Sequence, residues 1–242
     1  MNKIFYIVGS GRSGTHWLLS AFESNPNIKI VPETYPLFQI ITKSAQNQIF
    51  KKSFYWIVLS YYRIKMSFTS SDIVDKSHPN LWNAESINRC IKNSYFIGIY
   101  RDPHATISSM LLHSGVLRWV KNWKFSDGLN RFLGITENNI EEYESYSIER
   151  KCFTRWLATY LELYNLKNQM HEKVYLISYE DLFENSDDEI EKLKIFTGLK
   201  LEKPIIDLNV KDKWRNNLNE TQITEINMLL KENNLHSFVK EI

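Results

Sequence analysis

The sequence predicts an α/β protein, a parallel sheet of about four to five strands flanked by helices. Short apolar runs of strand length alternate with longer stretches whose apolar residues recur at three- and four-residue intervals, a rhythm that builds parallel sheets with helical crossovers. Near the N-terminus the run "KIFYIV" leads straight into "GSGRSGTHW", a glycine loop that opens a helix. The 242 residues, 43% hydrophobic and 24% charged, suffice for one sizeable core and leave little for a second. Residues 1–242 are therefore expected to form a single domain.

Taken in order, residues 3–8 read as a buried strand and 15–24 as a helix entered through Ser13, Gly14 and Thr15. "NPNIKIVPE" supplies a turn and a strand at 28–31 that breaks at Pro32. Residues 36–50 and 53–67 carry helical periodicity, 71–77 is a short strand running into a loop, and 83–92 is a helix. "SYFIGIYRDP" is a strand over 95–100 ended by a charged turn and Pro103. Helices near 103–113 and 116–123 follow, then a polar, irregular stretch at 126–147 expected to be a mobile insertion. A long helix over 148–171, a strand at 173–178 and helices around 187–197 and 219–233 complete the chain. Ligands of open parallel sheets bind at the carboxyl ends of strands. Those ends carry Gly9–Thr15, Glu33, Lys76–His78 and Arg101–Pro103, which are expected to share one rim.

Bulk properties exclude several function classes. A net charge of +2 gives no footprint for bulk nucleic-acid binding, so any polyanion is small and held by a few placed cations. Cys90 and Cys152 lack metal-ligand spacing and are expected to be free thiols of a reducing compartment. His16, His104, His113, His171 and His236 form no metal spacing either. The N-terminus opens directly into a strand, and the apolar run "FYWIVLSYY" is far too short to span a membrane, so the expectation is a soluble, cytoplasmic protein. The 14% aromatic content points to a deep core or an aromatic-lined pocket. Trp119, Trp123 and Trp156 fall at helical intervals and read as core, and Trp17 is expected to pack the first helix on the sheet.

The glycine loop admits three readings. Gly9, Gly11 and Gly14 spell the G-x-G-x-x-G of a dinucleotide site, with Glu33 about 20 residues further on as a ribose-binding acid. That would make the chain a nucleotide-binding oxidoreductase using NAD(P). Against it, Thr15-His16-Trp17 is bulky where close helix packing is wanted, and two successive helices interrupt the βαβ rhythm. A P-loop fails differently: Thr15 replaces the phosphate-binding lysine and His16 stands where a Mg²⁺-binding hydroxyl belongs. The third reading is a cradle for a phosphosulfate. Helix-terminal N–H groups and the helix dipole bind the anion, Ser13 and Thr15 add hydroxyls, and Arg12 neutralises charge building on the departing phosphate oxygen. No metal is needed for this.

Several segments together resemble the sulfotransferase family that uses 3′-phosphoadenylyl sulfate (PAPS). "GSGRSGTHWL" is similar to its 5′-phosphosulfate loop, in the arginine-bearing "GRSGT" branch, and "IYRDPHATISSML" to its 3′-phosphate site. "DKSHPN" resembles the loop with a lysine near the acceptor, "LISYEDLFEN" a strand-to-helix segment, and "KDKWRNNLNETQ" a basic loop that closes over the nucleotide. The resemblance implies a P-loop NTPase-like three-layer α/β/α fold, PAPS as co-substrate with the bisphosphate PAP as product, and no metal. It implies Gly11, Arg12, Ser13, Gly14, Thr15, His16, Arg101, Ser109, Tyr179, Lys213, Trp214 and Arg215 as donor-binding residues. The acceptor is a hydroxyl or amine of a carbohydrate, lipid, small phenol or peptide, and the oligomeric state is open.

Physical chemistry supports those positions. Arg101 and Ser109 grip one phosphate only if the arginine reaches back along the helix, and the guanidinium fork suits two phosphate oxygens. Asp102-Pro103 reads equally as a helix cap. Lys211, Lys213 and Arg215 around Trp214 form either a solvated basic loop or a closure on the 3′-phosphate with Trp214 near the adenine. Sulfuryl transfer to a hydroxyl needs a base, and Glu33 and His78 compete for the role. The resemblance places a catalytic glutamate at "VPETY" in the carbohydrate- and protein-modifying branches, and a histidine near "DKSHPN" in the small-molecule branch. Glu33 is preferred because Arg12 goes with the first branch, and His78 stays open. Lys76 is the candidate partner for the bridging or sulfuryl oxygens.

Overall fold

Six consecutive buried residues, IFYIVG, make Ile4–Gly9 a strand (β1) covered on both faces. The computed structural model describes residues 2–126, 128–205 and 212–241, and the side chains of all of these except 48–54, 125 and 126. After β1 come α1 (Thr15–Glu23), β2 (Ile28–Val31), α2 (Leu37–Gln46), α3 (Gln48–Ser67) and β3 (Asp72–Asp75). A 3₁₀ turn at His78–Asn83 leads into α4 (Ala84–Cys90), β4 (Ser94–Tyr100), α5 (Pro103–Leu111) and α6 (Ser114–Lys121). The chain continues with α7 (Ile148–Met170), β5 (Val174–Ser178), α8 (Tyr179–Glu184), α9 (Ser186–Thr197), α10 (Lys213–Asn217) and α11 (Glu220–Glu232). No described helix is long and apolar enough to cross a membrane.

The described residues fall into two compact units. One comprises the chain up to Tyr100 with Tyr160–Ile205, the other Arg101–Thr159 with the described residues after 211. The first holds a five-stranded sheet, all pairs parallel, in the order β2-β3-β1-β4-β5. On one face Phe5, Ile7, Val74, Ile97, Ile99 and Ile177 pack against Leu18 and Phe22 of α1, Leu182 of α8 and Ile190 and Leu193 of α9. On the other, Tyr6 stacks on Phe96 at 5.4 Å and meets Tyr62 of α3 edge-on at 5.2 Å. Each fully buried large apolar side chain contributes about 1.5–3 kcal/mol, so the two faces fix the sheet between its helices.

The strand order separates two of the readings above. A dinucleotide fold places the strand that follows the first helix beside the first strand. Here β3 lies between β1 and β2, which sets Glu33 one strand further from the glycine loop than a ribose-binding acid would stand.

One local expectation is corrected. Residues 126–147 are polar in sequence, yet Phe132, Leu133, Ile135 and Tyr143 are 0–2% exposed in the second unit's core, so the described part of this stretch is packed and not a loose insertion. There the Arg155 guanidinium lies over Phe132 at 4.6 Å and Trp119 at 5.2 Å. Trp17 packs against the core that covers one face of the sheet. It stacks on Phe183 of α8 at 5.3 Å and donates from Nε1 to the Ile205 carbonyl at 2.8 Å.

Candidate functional site

Sheet register assembles the site of the first unit. Val31, the last residue of β2, is abreast of Asp75, the last of β3, and Asp75 is abreast of Tyr6 in β1. The Lys76 N–H donates to the Val31 carbonyl at 3.1 Å, carrying the pairing one residue past the strands. Residues just beyond these ends therefore emerge side by side: Glu33 after β2, Lys76 to His78 after β3, and the glycine loop after β1. Their juxtaposition follows from parallel pairing of residues far apart in the chain, Val31 with Asp75 and Tyr6 with Asp75.

The loop itself is shaped by sterics. Gly9 has φ of 152°, and a Cβ there would lie 2.2 Å from the Ile99 carbonyl oxygen of the neighbouring strand. Gly14, the N-cap of α1, has φ of 92°, and its Cβ would fall 2.3 Å from Cδ2 of Tyr179. Neither position accepts another residue without strain. Arg12 adopts φ of 81° and is exposed. Among the described residues, α1 has no side-chain cap on Gly14 and no acid in its first turn, so its N–H groups and dipole are available to an anion. Ser13 Oγ is buried among them without a hydrogen-bond partner, and Thr15 is buried beside it.

Glu33 is the hub of the charged cluster. His78 donates from Nδ1 to Glu33 Oε1 at 2.7 Å, and Lys76 Nζ lies 3.0 Å from Oε2. His16 Nε2 contacts Lys76 Nζ and stands 3.9 Å from the same Glu33 oxygen. Burial works to raise the Glu33 carboxyl, but the His78 hydrogen bond and the charges of His78 and Lys76 outweigh it and hold it at about 2. The Lys76 side chain is only 1% exposed, and burial pulls its ammonium below the usual range against the opposing pull of Glu33. Phe38 of α2 packs on the His78 ring at 5.5 Å. The sequence offered Glu33 and His78 as alternatives, and the structure makes them hydrogen-bonded partners.

Beneath the cluster lies a group that sequence reasoning missed. Asp75, fully buried, accepts from the Ser77 N–H at 2.8 Å, Tyr62 Oη at 2.9 Å and Asn80 Nδ2 at 3.2 Å. Desolvation raises its carboxyl to about 6 despite those bonds. The signal was present in "DIVDKSH", an acid closing an apolar buried strand directly before a lysine and a histidine.

The remaining candidates belong to the second unit, except Tyr179, whose ring covers Gly14. Asp102 caps α5 by accepting from the Ala105 N–H at 3.1 Å, and Trp156 Nε1 donates to the Arg101 carbonyl at 3.0 Å. Arg101 and Ser109, at the start and in the last turn of that segment, are both half-buried. Trp214 is buried, packed on His104 at 5.0 Å with the Arg215 guanidinium over its ring at 4.5 Å, and Lys213 is exposed. Lys211 lies outside the described residues.

A family model described as a sulfotransferase domain matches residues 3–241. Among solved structures, the chain is similar to a sulfotransferase domain from the curacin biosynthetic pathway, with TM-score 0.60, 16% identity and coverage of 96% of this chain and 98% of that one. It is similar to a sulfotransferase from Alicyclobacillus acidocaldarius, with TM-score 0.57, 13% identity and coverage of 100% and 98%. A third is mouse sulfotransferase SULT7A1 complexed with PAP, with TM-score 0.53, 16% identity and coverage of 96% and 83%. No curated protein matches the sequence.

Proposed function

Since this chain belongs to the sulfotransferase domain family, we propose that it moves a sulfuryl group from PAPS to an acceptor hydroxyl or amine, as a single domain over residues 1–242. The observation that carries the reading is the Glu33–His78–Lys76 cluster at the strand ends beside the glycine loop, with hydrogen-bond or ion-pair distances of 2.7 and 3.0 Å. The loop and the N-terminus of α1 take the 5′-phosphosulfate, with Ser13 and Thr15 supplying hydroxyls. Arg101 and Ser109 take the 3′-phosphate, and Lys213, Trp214 and Arg215 complete the donor site. The acceptor loses its proton as its oxygen bonds to sulfur. The bond from sulfur to the 5′-phosphate oxygen breaks, and the electron pair stays on that phosphate. Arg12 and Lys76 oppose the charge that develops there.

A carboxylate held at about 2 is a poor proton acceptor near neutral pH. We therefore assign proton removal to the His78–Glu33 pair, with Glu33 holding Nδ1–H so that the ring's basicity lies at Nε2. His78→Ala is expected to reduce kcat by about two to four orders of magnitude. The free thiols Cys90 and Cys152 accord with a reducing cytoplasm as the place of action. The deciding experiment is a thermal-shift titration with PAP, NAD, NADP and ATP. PAP alone is expected to give a large shift. No shift with PAP, or a larger one with NAD or NADP, refutes the reading.

A further inference from the structure

The turn Arg101-Asp102-Pro103-His104 lies in the second unit, and residues more than a hundred positions downstream hold it from several sides. Lys240 Nζ is 2.9 Å from Asp102 Oδ2, while the Ala105 N–H occupies Oδ1 at 3.1 Å. His104, fully buried, donates from Nε2 to Asn227 Oδ1 of α11 at 3.1 Å. The same Asn227 amide pairs with the backbone of Lys240, donating to its carbonyl at 2.8 Å and accepting its N–H at 3.0 Å. One residue side chain thus fastens the C-terminal segment to His104. Phe238 meets Trp156 edge-on at 5.6 Å, and Trp156 in turn donates to the Arg101 carbonyl. Trp214 packs on His104 at 5.0 Å.

Electrostatics adds a reason for the cation. Asp102 is a carboxylate next in the chain to the arginine assigned to the 3′-phosphate. Without a counter-charge it repels a phosphate bound there, because like charges disfavour each other at short range in a partly buried site. Burial works to raise the Asp102 carboxyl, and His104 and Lys240 more than reverse that, so it stays ionised and compensated in place.

We propose that Asn227, Phe238 and Lys240 are positioning residues for the 3′-phosphate: they strap the Arg101–His104 turn and Trp214 in place and screen Asp102 from the bound phosphate. The proposal rests on the donor reading above. It is tested with the full chain by calorimetric titration of PAP and of AMP, which lacks the 3′-phosphate. The wild type is expected to prefer PAP by at least about tenfold, since the second phosphate adds charge-assisted bonds. Lys240→Met is expected to weaken PAP about five- to twentyfold and AMP less than about twofold, and Lys240→Arg to restore PAP binding. Asn227→Leu, which keeps the volume and removes the bonds, is expected to act in the same direction. Lys240 is about one-third exposed, so its substitution leaves the fold intact, which the melting temperature checks. Parallel losses for PAP and AMP in Lys240→Met, or no loss of PAP, overturn the strap while leaving the donor reading standing. A wild type that does not prefer PAP over AMP refutes the donor reading, and the strap with it.

Discussion

Replacing Glu33 by Gln removes the carboxylate that faces Lys76 and accepts from His78 while keeping its shape. Glu33 titrates at about 2 in the folded chain against an ordinary value of 4.5, a difference that contributes about 3 kcal/mol of stability near neutral pH. The side chain is one-fifth exposed, so solvent screening trims that figure only modestly. The sign follows from the direction. The folded value lies below the unfolded one, so the contribution is fully present above 4.5 and disappears as the pH falls through 2. In Glu33→Gln the Lys76 ammonium, 1% exposed, faces a neutral amide. Urea denaturation is expected to show the variant less stable by about 2–3 kcal/mol at pH 6, the gap shrinking to about 1 kcal/mol at pH 3. Equal stability at pH 6, or a gap unchanged down to pH 3, refutes the electrostatic account of the cluster.

Two other outcomes follow from the same geometry. Gly14→Ala forces a Cβ to within 2.3 Å of the Tyr179 ring at a φ of 92°, so a loss of about 1–3 kcal/mol is expected in denaturant melts. Tyr179→Leu in the same chain should return part of that loss, and an undiminished Gly14→Ala stability would contradict the steric reading of the loop. Asp75→Asn addresses the buried acid raised from 3.8 to about 6. Because its folded value lies above the unfolded one, the wild type loses about 2 kcal/mol relative to the variant as pH rises from 4 to 6, and parallel pH profiles would count against it.

Much of the first unit was legible because its signals are local. The apolar runs at 3–8, 28–31, 95–100 and 173–178 lie within a residue or two of β1, β2, β4 and β5. In the second unit, Asp102-Pro103 reads as a cap and is one. What local patterns miss is packing that lacks a period. Tyr143 and Phe132 sit among acids and asparagines at irregular spacing, and nothing in that stretch announces that both are buried. The short helix α8 follows β5 with no intervening turn, and nothing in the local pattern places its Tyr179 ring over Gly14.

The sequence by itself determined the strand–loop–helix at the N-terminus, the positions of the candidate cations and carboxylates at strand ends, and the resemblance that named their chemistry. These depend on residue type and on neighbours a few positions away: a glycine where φ must be positive, a proline that stops a strand, an acid that caps a helix. Only the tertiary structure decided that Glu33 and His78 are one hydrogen-bonded pair and not two rival bases, that Asp75 stands buried beneath them, and that Lys240 answers the charge of Asp102. The physical reason is that each is a contact through space. The first two depend on which strands lie side by side and in what register, the third on where α11 and the C-terminal segment pack, and spacing along the chain encodes neither.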